Sequence, residues 1–140
     1  MEKILNLTQH MATPEQIAHG VEDLPEELRS FVIDTLTFTA IPSGEEITSR
    51  AIELALLAQR LGYKKVMIGG APFFMSALEY QLFLSGIQAL YAFSVRTSTE
   101  TQRPDGTVEK VVTFKHQGFI KGEYGFYTTA FTEQCTEQEQ

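Results

Sequence analysis

Apolar positions along this chain follow two periods, and the alternation between them predicts its elements. Ile4-Leu5-Asn6-Leu7 is a short apolar run of strand character. Thr13-Pro14-Glu15-Gln16 then starts a helix, with threonine as cap, proline at the first helical position and glutamine placed to close a capping box. Gly20 ends it. Asp23-Leu24-Pro25-Glu26 opens a second helix that carries Leu28, Phe31, Val32 and Leu36 on one face. Thr37–Ile41 is β-branched and aromatic, which predicts a strand stopped by Pro42. Ser43-Gly44-Glu45-Glu46 forms a second capping box. The long helix behind it places Ile47, Ala51, Leu54, Ala55, Ala58 and Leu61 at helical spacing and closes at Gly62.

Lys65–Ile68 is almost wholly apolar, the mark of a strand buried on both faces. Gly69-Gly70-Ala71-Pro72 leads into a helix to about Ser85, with Phe73, Phe74, Met75, Leu78, Leu82 and Phe83 as core and Glu79 turned to water or an ion pair. Gly86 ends that helix, and Gln88–Val95 is the next strand, finishing in Ser94 and Arg96. Strand, helix and strand at this spacing make a right-handed βαβ unit. Thr97–Gln102 and Thr107–Phe114 flank Arg103-Pro104-Asp105-Gly106, where Asp-Gly signals a β-hairpin. Gly118-Phe119-Ile120 adds a last extended piece. The pattern predicts an α/β fold: a Rossmann-like, mainly parallel sheet flanked by helices, with an added C-terminal β-hairpin. Residues 1–122 read as one domain. Residues 123–140 read as a polar tail, partly disordered.

Composition narrows the context. A chain of 140 residues that is 43% hydrophobic can bury a core. The single cysteine, Cys135, rules out an internal disulfide framework and fits a reducing compartment. No apolar run is long enough to span a bilayer, and the first residues lack the apolar stretch of a signal peptide, so a cytoplasmic location is expected. The net charge of -7 disfavours duplex nucleic acid. Its distribution is uneven, however. Acids crowd the first half, whereas Lys64, Lys65, Arg96, Arg103, Lys110, Lys115 and Lys121 follow later. That pattern suits a small anion held locally.

In open α/β sheets ligands gather outside the carboxyl ends of the strands. Three segments here qualify. Gly69, Gly70 and Ala71 allow close backbone approach ahead of a helix N-terminus, which suits phosphate, although a tight turn would need the same glycines. Asn6, Thr8, Gln9 and His10 follow the first strand, with His10 an acid, a base or a solvated loop histidine. Ser94 and Arg96 end a strand, where arginine forks onto phosphate oxygens or makes a surface ion pair. Lys110 and His116 share a face of the returning hairpin arm, a face that is otherwise simply solvated. His10, His19 and His116 lack metal-ligand spacing, no carboxylate cluster suggests magnesium, and no cofactor is implied.

The Asn-x-Thr-x-His loop, Gly-Gly-Ala-Pro-x-x-Met, the strand Gly-Ile-x-x-Leu-Tyr-Ala leading to Arg96, the Asp-Gly turn and Phe114-x-His116 together resemble the small stand-alone CRISPR-associated ring nucleases. Those proteins are similar to the CARF domain, a Rossmann-like sensor of cyclic oligoadenylate. The resemblance runs from about Lys3 to Lys121. It departs from the family at Ala92-Phe93-Ser94-Val95-Arg96, where the family carries paired threonines. It implies a CARF-like core and a homodimer that binds cyclic oligoadenylate, of the tetra-adenylate class, across its two-fold axis. It further implies metal-independent cleavage by ribose 2′-hydroxyl attack, leaving a 2′,3′-cyclic phosphate and switching off type III CRISPR signalling. In that scheme Arg96 clamps the oxyanion, Ser94 and the Gly69–Gly70 amides donate to phosphate, His10 is acid or base, and Lys110 and His116 close over the ring. The rival reading is a sensor or sponge of the same fold that binds without cutting. A glycosyl-transferring enzyme and a subunit serving assembly alone are the remaining classes. The first would need a strand-end carboxylate, and none is convincingly placed.

Overall fold

The computed structural model describes residues 2–122. The elements are β1 (Ile4–Leu7), α1 (Pro14–Ala18), β2 (Val21–Glu22), α2 (Glu26–Leu36), α3 (Gly44–Arg60), β3 (Lys65–Ile68), α4 (Pro72–Leu84), β4 (Gln88–Gln102) and β5 (Val108–Lys121). They form an α/β structure around one five-stranded sheet in the order β2-β1-β3-β4-β5. The first four strands are mutually parallel, and β5 runs antiparallel to β4. No helix among the described residues is long and apolar enough to cross a membrane.

Strand alternation divides the core in two. Leu5, Leu7, Val66, Ile68 and Ala89 pack in one cluster with Val32 and Leu36 of α2, Leu54, Ala55 and Ala58 of α3, and Phe74, Leu78 and Leu82 of α4. Ile4, Val21, Met67 and Leu90 form a smaller cluster on the opposite face, with Ala12 and Phe119 against it. One face thus lies under three long helices. Among the described residues the other has only the five-residue α1 and its loops.

The α1 capping box forms as its residues dictate, with Thr13 Oγ1 accepting from the Gln16 N–H and Gln16 Oε1 accepting from the Thr13 N–H. Other local expectations need correction. Thr37–Ile41 is an irregular connection between α2 and α3, not a strand, and Ile41 is 99% exposed. A distant side chain sets its path. Arg50 Nη1 donates to the carbonyls of Thr35 at 3.0 Å and Thr37 at 2.7 Å, and its guanidinium stacks 4.4 Å from the Phe38 ring. Ser43 accepts from the Glu46 N–H, but Glu46 turns to Arg50 rather than completing a box. The second helix opens at Glu26 as expected, with Pro25 at its N-cap and no side-chain cap bond. The two-residue β2 lies beside β1 where no strand was expected. Phe73 is half exposed, and Glu79 is buried instead of facing water.

The largest difference is at β4. It does not end at Ser94 and Arg96 but continues to Gln102, because β5 supplies a partner in unbroken register from Ser94↔His116 to Gln102↔Val108. Asp105 Oδ1 accepts from the Thr107 N–H and hydroxyl in the connecting turn, and the Thr97 and Thr113 hydroxyls meet at 2.6 Å across the strands.

Replacing Arg50 removes charge-assisted bonds to two carbonyls at the end of α2. Arg50→Ala should lower unfolding free energy by about 1.5–3 kcal/mol in urea titration. Arg50→Lys should recover only part of that, since a point charge cannot reach both carbonyls and cover the ring.

Candidate functional site

Because the chain passes from β1 to β2 on one side and to β3 on the other, strand order reverses between β1 and β3. The crevice outside their carboxyl ends is where doubly wound sheets take ligands. A cleft of about 390 Å³ opens there, within the range of small-molecule sites. The loop after β1 supplies Thr8, Gln9, His10 and Met11, and the start of α1 supplies Thr13 and Gln16. Met67, Ile68, Gly69 and Gly70 come from the end of β3, and Tyr91 and Ala92 from β4. None of these lining residues is acidic, despite the net charge of -7.

One buried amide shapes the β1 side of the rim. Asn6 Nδ2 donates to the His10 carbonyl at 2.8 Å and to Asp23 Oδ1 at 2.7 Å. Its Oδ1 accepts from the Thr8 N–H at 3.0 Å and the Thr8 hydroxyl at 2.7 Å. Asp23 also accepts from the Ala12 N–H. Asn6 is therefore a tether for the loop, with both donors engaged, and not a group facing a ligand. The Thr8 hydroxyl is likewise engaged with Asn6 and the His10 backbone. Gln9 reaches Thr37 Oγ1 at 2.9 Å, joining the rim to the α2–α3 connection.

On the β3 side glycine is favoured at Gly70 by its positive φ, whereas a side chain at Gly69 would make only ordinary contact. A Cβ on Gly69 would stand 3.6 Å from Thr8 Cγ2, and Gly70 has φ +154 with a virtual Cβ 3.3 Å from Met75 Cε. Ala71 caps α4 without a side-chain hydrogen bond, and Pro72 occupies the first helical position. The positive end of a 13-residue helix thus begins beside Gly70 with no acidic residue in its first turn.

The expected site residues separate into groups. Thr8, Gln9, His10, Gly69 and Gly70 line one cleft, with Asn6 beneath it and Ala71 at the start of α4. Ser94 and Arg96 do not line it. They lie two and four residues beyond Ala92, on the same strand face as Ala92 by alternation, and both are exposed. Lys110 pairs with Glu100 farther out and is also exposed. His116 is opposite Ser94 on that face but is not solvated. It is 7% exposed, with its ring 5.0 Å from His19 and 4.9 Å from Phe119. Both ring nitrogens are buried without a partner, while its backbone N–H donates to Glu15 Oε2 at 2.9 Å. Burial, then the neighbouring His19, lowers the His116 pKa, and Glu15 opposes the shift. His116 seals the base of β5 against α1 rather than closing over a ligand.

Tyr91 was not among the expected residues. The one signal for it is its place at the level where β3 ends. Among the described lining residues, His10 and Tyr91 are the ones with titratable side chains. Among the described residues no group of three or more His, Cys, Asp or Glu could hold a metal.

Two outcomes test this geometry. Asn6→Asp sets a second carboxylate against Asp23 and should cost about 2 kcal/mol or more near neutral pH. Urea melts compared with wild type should show part of that loss recovered as pH approaches the carboxylate range, where one of the pair binds a proton. For His116, the folded state stays neutral to lower pH than the unfolded chain. The unfolded chain therefore binds more protons below about 6.5, and stability falls as pH drops from there toward the lowered folded value. Melts at several pH values should show that slope in wild type and a flatter profile in His116→Leu.

No curated protein and no solved structure matches the chain. A family profile described as "Uncharacterized protein MJ1673 family" matches residues 2–120. The match takes in every strand and helix that builds the cleft, and the chain belongs to that family.

Proposed function

We propose that the cleft at the β1–β3 crevice binds a phosphate-bearing nucleotide of the cyclic oligoadenylate class and that the protein cleaves it without a metal. The observation carrying this reading is that, among the described residues, no acidic side chain lines the cleft in a chain of net charge -7, at the end of a helix without a side-chain cap. A space of about 390 Å³ suits one nucleotide unit of a larger ligand. The remaining phosphates would lie along the β4 face, where Ser94 and Arg96 follow Ala92. The Rossmann-like, CARF-like kinship of the sheet, with β4 and β5 as its added hairpin, belongs to the same proposal, as does a cytoplasmic setting.

In the reaction the ribose 2′-oxygen forms a bond to the adjacent phosphorus as the bond to the 5′-oxygen breaks. The products are a 2′,3′-cyclic phosphate and a 5′-hydroxyl. The 2′-hydroxyl proton leaves to a base and the departing 5′-oxygen gains one. His10, in the cleft lining, would serve one of these transfers. The substrate carries its own nucleophile, so positioning and charge stabilisation remain for the protein. The Gly69–Gly70 amides would supply them in the cleft, and Arg96 would hold a phosphate farther along β4.

One observation favours a second reading, binding without turnover. The Asn6 amide and Thr8 hydroxyl are engaged internally, and Arg96 stands outside the cleft. Incubation with cyclic tetra-adenylate followed by chromatography separates the two. Linear product that disappears in His10→Ala supports cleavage, and intact ligand with measurable binding supports a sponge. Arg96→Ala should weaken binding or turnover at least about tenfold, as expected for a phosphate-facing arginine worth roughly 1.5–3 kcal/mol. Neither binding nor cleavage by folded protein overturns the nucleotide reading.

A further inference from the structure

Every residue from Ala92 to Lys115 is exposed, although β4 and β5 there form a continuous two-stranded ribbon. A lone two-stranded ribbon is marginal in water. This one projects about 30 Å beyond the sheet body and exposes Phe93, Val95, Val108, Val111, Val112 and Phe114. Among the described residues β5 is also the sheet's edge, 14 residues long and without proline. Long, apolar, unpaired edges are templates for strand addition.

We infer that β5 pairs antiparallel with β5 of a second copy, about a two-fold axis at Val112. Two observations select this occupant and this register. The first is the direction of the backbone. The His116 N–H leaves the ribbon to reach Glu15, so it points away from β4. N–H groups alternate along a strand, and the register is unbroken from His116 to Val108. The N–H and C=O groups of Phe114, Val112 and Lys110 therefore also point to the open edge. With the axis at Val112, Val112 faces its own copy and Lys110 faces Phe114 of the partner subunit. Those positions exchange hydrogen bonds, and the ladder stops at His116, whose N–H Glu15 already holds.

The second observation is charge. The same axis sets Glu109 opposite the partner's Lys115, and Lys115 opposite the partner's Glu109, with Val111 and Thr113 paired between them. No like charges face each other along this span. The edge is self-complementary, the requirement for a two-fold interface. The arrangement brings the partner's Lys110 beside Phe114, which is itself opposite Arg96. Bases of both copies then gather on the face that leads to the cleft. About 40 Å of strand separates the two clefts, so each takes its own ligand. The pairing stands on edge geometry and holds whatever the cleft binds.

The test uses the full chain with Cys135→Ser as background. Sedimentation should give twice the chain mass. Val111→Cys and Thr113→Cys chains, mixed and oxidised, should form a disulfide-linked heterodimer far more readily than either alone, because the two positions face each other across the axis. Glu109→Lys and Lys115→Glu should each weaken self-association about tenfold, and an equimolar mixture of the two should recover a heterodimer. Circular dichroism checks that each variant folds. A wild-type monomer at all concentrations, a dimer without the mixed disulfide, or charge variants that do not rescue each other would overturn the inference.

Discussion

The Asn6 amide is the constraint on which the rest of the site depends. By alternation it points to the thinly covered face of β1, where an unpaired polar group would cost on the order of 1–3 kcal/mol. Four hydrogen bonds remove that cost, and all of them go to the loop after β1 or to Asp23 ahead of α2. The loop can then neither close over the strand end nor drift from it. Through Gln9 and Thr37 the same loop touches the connection that Arg50 organises, so the rim is braced from both sheet faces.

The cleft opens where it does because the two faces are covered unequally. Three helices bury one face with large aliphatic and aromatic side chains. The other face depends on α1, whose five residues include no buried one. Small side chains and a few long apolar ones complete the cover, with His116 and Phe119 filling from the far side. A short helix leaves the strand ends uncovered, and the cleft lies in that uncovered region. Filling it with His116 has a consequence. A buried ring without hydrogen bonds is tolerated only while neutral, so the seal between β5 and α1 depends on pH in a way the aliphatic core does not.

The readable parts of the chain were those whose determining contacts are local. The Thr13–Gln16 box closes within four residues, and Pro72 and the glycine stops act on their own turns. The parallel sheet followed from the apolar runs of β1 and β3 and the helix lengths between strands. Contacts set from a distance were not readable. Thr37–Ile41 has strand chemistry, but Arg50, thirteen residues past Thr37, holds its carbonyl in a turn. Asn6 looks like a ligand group until Asp23 is found 2.7 Å away. His116 shares a face with Lys110 as spacing dictates, but only the fold shows that α1 buries one and leaves the other in water. Gly69, Gly70, Thr8, Gln9 and His10 were legible together because strand ends converge in any open α/β sheet. Tyr91 was not, since its role depends on where β4 crosses the rim.

The run past that rim connects the site to the ribbon. If β4 stopped at Ala92, the sheet would end at one level and Ser94 and Arg96 would be loop residues free to turn into the cleft. Continuing to Gln102 fixes their directions by alternation and carries Arg96 away from the glycines. The energy for that extension cannot come from burial, because none of these residues is buried. The Thr97–Thr113 cross-strand pair and the exposed Arg103–Glu109 ion pair contribute only about 0.2–1 kcal/mol each. That is little against an ordering cost of about 1–2 kcal/mol per residue. A ribbon of this length held by its own ladder alone would fray at the tip. The apolar residues on both of its faces and the free polar edge of β5 are the groups whose burial would offset that deficit, and they are arranged to be buried by an identical strand.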